Sequence, residues 1–291
     1  MTYSRLATPS ATRAVLAAHG LATKKRLGQH FLVDDNVIGR IVSLSALAGD
    51  EVVLEVGPGI GTLTVALCER AGAVVAVERD ERLVPVLRET TEDCPRFALI
   101  RADALDIDVV ALSAPFGAPS ALIANLPYSV AATVLLRLFE VLESLQTAVV
   151  MVQSEVADRI AAVPGTKDYG SYTVKLRLRA ETVSRFPVAR GCFLPPPRVD
   201  SAVVRLERRP LSGDPQAIAW ATDAADAAFA QRRKTIRNSL KSALHADPRV
   251  VEEALVTAKI NGDERAEALP PEAFLALGDA LNTADLLPFR R

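Results

Sequence analysis

Between residue 51 and about residue 160 the chain alternates short, wholly apolar runs with longer amphipathic ones. VVLEVG, VVAVER, FALIRAD, ALIAN and TAVVMVQ have strand length and end in polar or turn residues, so each reads as a buried strand. TLTVALCERA, DERLVPVLRETT and VAATVLLRLFEVL, which lie between them, carry apolar residues at helical spacing. Strand and helix in strict alternation predict a parallel sheet with right-handed crossovers, covered on both faces. A further helix, with Val37, Ile41 and Leu44 on one side and Asp34 or Asp35 as its cap, leads into the first strand.

Downstream the pattern changes twice. From 168 to 206, YTVKLRLRAETVSRF and SAVVRLERR read as paired strands that finish the sheet, joined through GCFLPPP, whose prolines stiffen the connection. RRPLSGDPQ, residues 208 to 216, is a polar linker, and AIAWATDAADAAFAQRRKTIRNSLKSAL, PRVVEEALVTAKI and PPEAFLALGDALNTA behind it are helical. The expected organisation is a basic N-terminal arm over 1–27 with a short helical pattern around Ala11 to His19, an α/β domain over 28–207, and a helical domain over 208–291.

Composition narrows this picture. At 291 residues and 49% hydrophobic content the chain can bury a large core. No apolar run reaches the roughly 18 residues of a membrane span, and MTYSRLATPSATRAV lacks the apolar centre of a secretory signal, so a cytoplasmic protein without a membrane partner is expected. Cys68, Cys94 and Cys192 lack metal or redox spacing, and His19, His30 and His245 are scattered; no metal is implied. The net charge of −1 argues against a broadly basic surface. Basic residues nevertheless cluster locally, at Arg5, Arg13, Lys24, Lys25 and Arg26 before any acid appears, and again at Arg232, Arg233, Lys234, Arg237 and Lys241. Read as one helix, the second cluster puts Arg233, Arg237 and Lys241 on a single stripe suited to a phosphate backbone.

The candidate chemistry sits at strand ends. EVGPGIG places Gly57, Gly59 and Gly61 at the first strand-to-helix turn, where missing Cβ atoms let a nucleotide-like ligand approach the backbone. Glu78 ends the next strand and is placed to bridge ribose hydroxyls, and Asp103 follows the third, within reach of an adenine amine. The fourth strand stops at Asn125-Leu126-Pro127-Tyr128. An amide oxygen, a proline that fixes the backbone and an aromatic face together suit a flat ring bearing an amine, such as adenine.

EVGPGIG, Glu78, Asp103 and NLPY together resemble the class I S-adenosylmethionine-dependent methyltransferases that act on an amine nitrogen. KKRLGQHFLVDDN, NLPYSVAATVL, FLPPPRVDSAVVRL and AFAQRRKTIRNSL each resemble segments of the ribosomal RNA adenine N6,N6-dimethyltransferase family, in its small-subunit branch, from about Lys24 to the C-terminal helices. The resemblance implies a seven-stranded Rossmann-like sheet with a small C-terminal helical domain. It implies S-adenosyl-L-methionine as cofactor, touched by His30, Leu32, Gly57, Glu78, Asp103 and Asn125, with Gly59 in the same turn; many relatives carry Asn at the position of His30. Asn125 and the turn backbone would hold adenine N6, with Pro127 fixing the turn and Tyr128 and Phe193 stacking on the base. Lys24, Lys25, Arg26, Arg232, Arg233, Lys234 and Arg237 would contact RNA. The implied partner of this monomer is small-subunit (16S) ribosomal RNA in the immature 30S subunit; the alternatives are a large-subunit rRNA methyltransferase of the antibiotic-resistance type and a mainly non-catalytic assembly factor.

Overall fold

The structure is a computed structural model that describes residues 2–22, 29–210 and 214–287. The chain divides into two compact units. One runs to Ala157 and resumes over Thr182–Arg208; the other comprises Asp158–Glu181 and everything from Arg209 on.

The first unit is built on a sheet of strands β1 (Val52–Val56), β2 (Ala73–Glu78), β3 (Phe97–Arg101), β4 (Ala121–Asn125), β5 (Thr147–Gln153), β6 (Ala180–Val188) and β7 (Ser201–Arg208). Their order across the sheet is β3-β2-β1-β4-β5-β7-β6. The first five strands pair in parallel, and β7 runs antiparallel to β5 with Thr147 opposite Glu207 and Gln153 opposite Ser201. Every residue of β2 is buried, as an apolar strand covered on both faces must be. The order reverses between β1 and β4, so their carboxyl ends diverge and leave a crevice.

Helix Asp35–Ser45 lays Val37, Ile38, Ile41 and Val42 on the core. Its first turn is held by the Asp34 carboxylate, which accepts from the Asn36 and Val37 N–H groups, a cap worth about 1 kcal/mol. The N-terminal segment is no loose arm. The Tyr3 and Ser4 N–H groups donate to Asp35, Leu6, Ala7 and Leu16 are buried, and a helix runs over Pro9–Ala18. Lys24, Lys25 and Arg26 lie outside the described residues.

The second unit is helical: Ser171–Arg177, Pro215–Phe229, Ile236–Leu244, Pro248–Thr257 and Ala273–Thr283 close around Tyr169, Val174, Phe229, Ile236 and Phe274. Two expectations are corrected here. YTVKLRLR forms a helix over Ser171–Arg177 and belongs to this unit, so the division at 208 leaves out residues 158–181. The expected single helix through QRRKTIRNSL breaks after Phe229 and restarts at Ile236, so Arg233 shares no helical stripe with Arg237 and Lys241. Among the described residues no helix is long and apolar enough to cross a membrane.

Candidate active site

A cavity of about 650 Å³ opens at the carboxyl ends of β1, β2 and β4. That volume suits a small-molecule or cofactor site. His30, Leu32, Gly57, Gly59, Glu78, Asp103, Asn125, Pro127 and Tyr128 all line it, so the structure brings nine of the expected residues to one wall system.

The turn after β1 needs its glycines for two reasons. Gly57 and Gly59 have φ of +71° and +65°, a region that residues with a Cβ avoid. A Cβ on Gly57 would also meet Pro127 Cγ at 3.0 Å, so the glycine turn and the NLPY turn pack as one piece. Across the crevice, Glu78 Oε1 accepts from the Asp80 N–H at 2.8 Å and Oε2 from the Gly59 N–H at 3.4 Å. Burial pushes its carboxyl above the usual range against these bonds. The Asp103 carboxyl is held below it by the Leu105 N–H, with help from the Arg79 guanidinium at 2.8 Å.

Asn125 ends β4 with its side-chain orientation fixed. Nδ2 donates to the main-chain carbonyl of His30 at 3.2 Å, and since a carbonyl only accepts, the amide cannot be turned over. Oδ1 is then buried without a hydrogen-bond partner. Native proteins satisfy nearly all such atoms, so an unpaired buried acceptor on a cavity wall marks a place for a donor. Thr62 Oγ1, in the same cavity, is likewise buried and unpaired. Tyr128 follows at the turn, its hydroxyl bonded to Ser201 Oγ, and the His30 ring stacks on it with centroids 5.6 Å apart.

The placing of Phe193 is corrected. It pairs with Leu32 in a two-stranded ribbon formed by Phe31–Leu32 and Phe193–Leu194, is 2% exposed, and packs into the core with Ile38 and Val203. It is absent from the cavity wall, and in this structure it offers no stacking surface.

The basic cluster divides. The Arg232 guanidinium donates to the carbonyls of Lys167 and Tyr169 at 2.8 Å, and Arg237 pairs with Glu252 and Asp263 at 2.6 Å each. Both are tied into the helical unit. Arg233 and Lys234 are exposed in the turn before Ile236 and have no such partner among the described residues.

Sequence reasoning missed Glu55. It is 2% exposed, lines the cavity, and accepts from Thr64 Oγ1 at 2.7 Å. Burial, helped by the charge of Glu78, pushes its carboxyl up to about 8 against the pull of that hydroxyl. The signal was present as the one acid inside the apolar run VVLEV. Asp80, which accepts from Arg82 and Gln29, was missed too, since nothing marks it off from an ordinary cap.

Comparison with known proteins adds a family match and three similar proteins. A family described as "Ribosomal RNA adenine dimethylase" matches residues 20–283. "Ribosomal RNA small subunit methyltransferase A" of Lactiplantibacillus plantarum is 39% identical over 97% of this chain and 98% of its own. Among solved structures, the 23S rRNA methyltransferase ErmE is 31% identical, covering 87% of this chain and 99% of its own with a TM-score of 0.62. A dimethyladenosine transferase from Plasmodium falciparum shares the fold at a TM-score of 0.70 and 22% identity, covering 88% of this chain and 98% of its own.

Proposed function

The chain belongs to the ribosomal RNA adenine dimethylase family, and from that premise we propose that it dimethylates N6 of two adjacent adenosines in the 3′-terminal hairpin of 16S ribosomal RNA. It takes S-adenosyl-L-methionine as cofactor and acts as a cytoplasmic monomer on the immature 30S subunit. S-adenosyl-L-methionine, when bound, supplies an electrophilic methyl group on a positively charged sulfur.

The unpaired Asn125 Oδ1 carries this reading. The lone pair of adenine N6 is delocalised into its ring, and the nitrogen is a poor nucleophile for that reason. Asn125 Oδ1 and the carbonyls of the turn accept its two N–H groups, which favours a pyramidal nitrogen and stabilises positive charge as it develops there. Tyr128 supports the extruded base by stacking, worth about 1–3 kcal/mol. Pro127, packed beneath Gly57, fixes the turn that carries both groups, so alignment is prepared before the base arrives.

The residues also suit the cofactor. Glu78 is placed for the ribose hydroxyls, the Gly57 and Gly59 backbone allows close approach, and Leu32 and Asp103 supply an apolar and a polar wall. The unpaired Thr62 hydroxyl offers a further polar contact.

The test is Asn125→Ala, assayed by transfer of a labelled methyl group to unmethylated small subunits. Transfer falls by about a hundredfold or more, the cost of losing one charge-stabilising partner, while subunit binding stays within twofold. Transfer near wild type overturns the role of Asn125. Mapping the label to large-subunit RNA overturns the substrate.

A further inference from the structure

The residue that covers Tyr128 is not the one the sequence pattern offered. Phe193 is in the core, whereas the His30 ring lies on Tyr128 at 5.6 Å between centroids and 23° between planes. Two rings already in stacking contact leave no gap for a third between them. A base that stacks on this face of Tyr128 must therefore take the place of His30.

The two rings are anchored unequally. Tyr128 is held at its far end by the hydroxyl bond to Ser201, on β7. His30 is held by one side-chain bond, from Nδ1 to the Pro195 carbonyl at 2.8 Å. Because that carbonyl can only accept, Nδ1 carries the proton in this arrangement. The main chain of His30 is anchored separately, its carbonyl accepting from Asn125 Nδ2 at 3.2 Å. The imidazole can thus swing away by side-chain rotation while the carbonyl that orients Asn125 stays in place.

We propose that His30 is a positioning residue that occupies the stacking face of Tyr128 and yields it to the target adenine, exchanging one ring for another on the same surface. The inference rests on the reading of the Asn125 and Tyr128 turn as the base site. It assigns the His30 side chain to the substrate side of the cavity, and leaves only its main chain to support the cofactor side.

The test uses the full-length enzyme with unmethylated small subunits, comparing wild type, His30→Ala and His30→Asn. Asn is included because it can keep a donor for Pro195 while removing the ring. Both variants lower KM for the subunit by about three- to tenfold, the equivalent of one lost stack, because the base no longer has to displace a competitor. Affinity for S-adenosyl-L-methionine, read by calorimetry, stays within twofold. A KM that is unchanged or raised overturns the proposal, and so does a weakened cofactor complex in both variants. Tyr128→Ala, run beside them, separates the two levels: if it methylates subunits as well as wild type, the base site itself is misassigned. If Tyr128→Ala is impaired while the His30 variants show no fall in KM, only the role of His30 fails.

Discussion

Glu55→Gln tests the electrostatics of the cavity floor. Glu55 is 2% exposed on β1, and its carboxyl is pushed up to about 8 from an ordinary value of 4.5. Between those two values the folded protein holds a proton that the unfolded chain releases. Linkage fixes the sign: the associated stability is fully present below about pH 4.5 and is lost as pH rises through about 8. At about 1.4 kcal/mol per pH unit, the interval sets a ceiling of about 5 kcal/mol. Glutamine has the same shape, keeps an acceptor for the Thr64 hydroxyl at Oε1, and cannot ionise. Glu55→Gln should therefore match wild type within about 1 kcal/mol near pH 5 and exceed it by several kcal/mol at pH 8.5. The assay is urea unfolding across that range, read by circular dichroism and by amide exchange along β1. Trp220, the sole tryptophan, sits in the helical unit and reports on that unit instead. Stability curves of wild type and variant that stay parallel from pH 5 to 8.5 would refute a protonated Glu55.

Gly57→Ala forces a Cβ into a left-handed backbone and against Pro127, costing about 1–2 kcal/mol and at least tenfold in methyl transfer, measurable by denaturation and turnover on the same samples. The double substitution Arg233→Ala, Lys234→Ala weakens binding to small subunits and lowers the salt dependence of log K by about two phosphate contacts, read by titration at several ionic strengths. Arg237→Ala instead removes the pairs with Glu252 and Asp263, so it destabilises the helical unit, seen in Trp220 fluorescence, and changes the salt slope less. Binding of the proposed cationic cofactor favours ionised Glu55 and Glu78, both of whose carboxyls are raised; affinity accordingly strengthens from pH 6 to 8 with proton release, detected by calorimetry in buffers of different ionisation heat.

The parallel part of the sheet and most of the cavity wall were legible because local sequence decides them. A run such as AVVAVE, apolar on both faces, has few places to go other than the middle of a covered sheet. A turn of three glycines at a strand end has few uses that a bulkier residue would allow. What was misread depended on distant contacts. In TVKLRLR, Val174, Leu176 and Leu178 alternate with Lys175 and Arg177, which is a strand pattern. The helix wins because Val174 and Leu178 pack into the helical core while Lys175 reaches Asp226 and Arg177 the Ala162 carbonyl. The break before Ile236 carries no proline or glycine. It arises because the N–H groups of Ile236 and Arg237 donate to the carbonyls of Glu264 and Gly262, which caps a new helix start from a remote loop. Phe193 is buried by its pairing with Leu32, some 160 residues earlier, a contact that no local pattern announces.

Four of the five acids that line the cavity explain why its charge can be both tolerated and useful. Glu55 and Glu78, at 2% and 8% exposure, form no salt bridge among the described residues and are pushed toward the protonated state by burial. Asp80 and Asp103, with side chains 19% and 30% exposed, are held ionised, the first chiefly by Arg82 and the second by the Leu105 N–H and then Arg79. A fixed charge at Glu55 would cost the fold up to about 5 kcal/mol, and a neutral acid at either buried position costs little. The inner pair is thus free to ionise when a positive ligand arrives, and the outer pair is not. An opposite charge within about 4–6 Å moves a carboxyl down by one to three pH units, enough to bring Glu55 from about 8 to below neutrality. Under the proposed function a bound methyl donor would supply the positive charge that Glu55 and Glu78 face, and once that charge is gone the two acids would take protons back. Reprotonated, Glu55 and Glu78 would hold the spent cofactor less tightly, which a reaction requiring repeated cofactor exchange at one site needs.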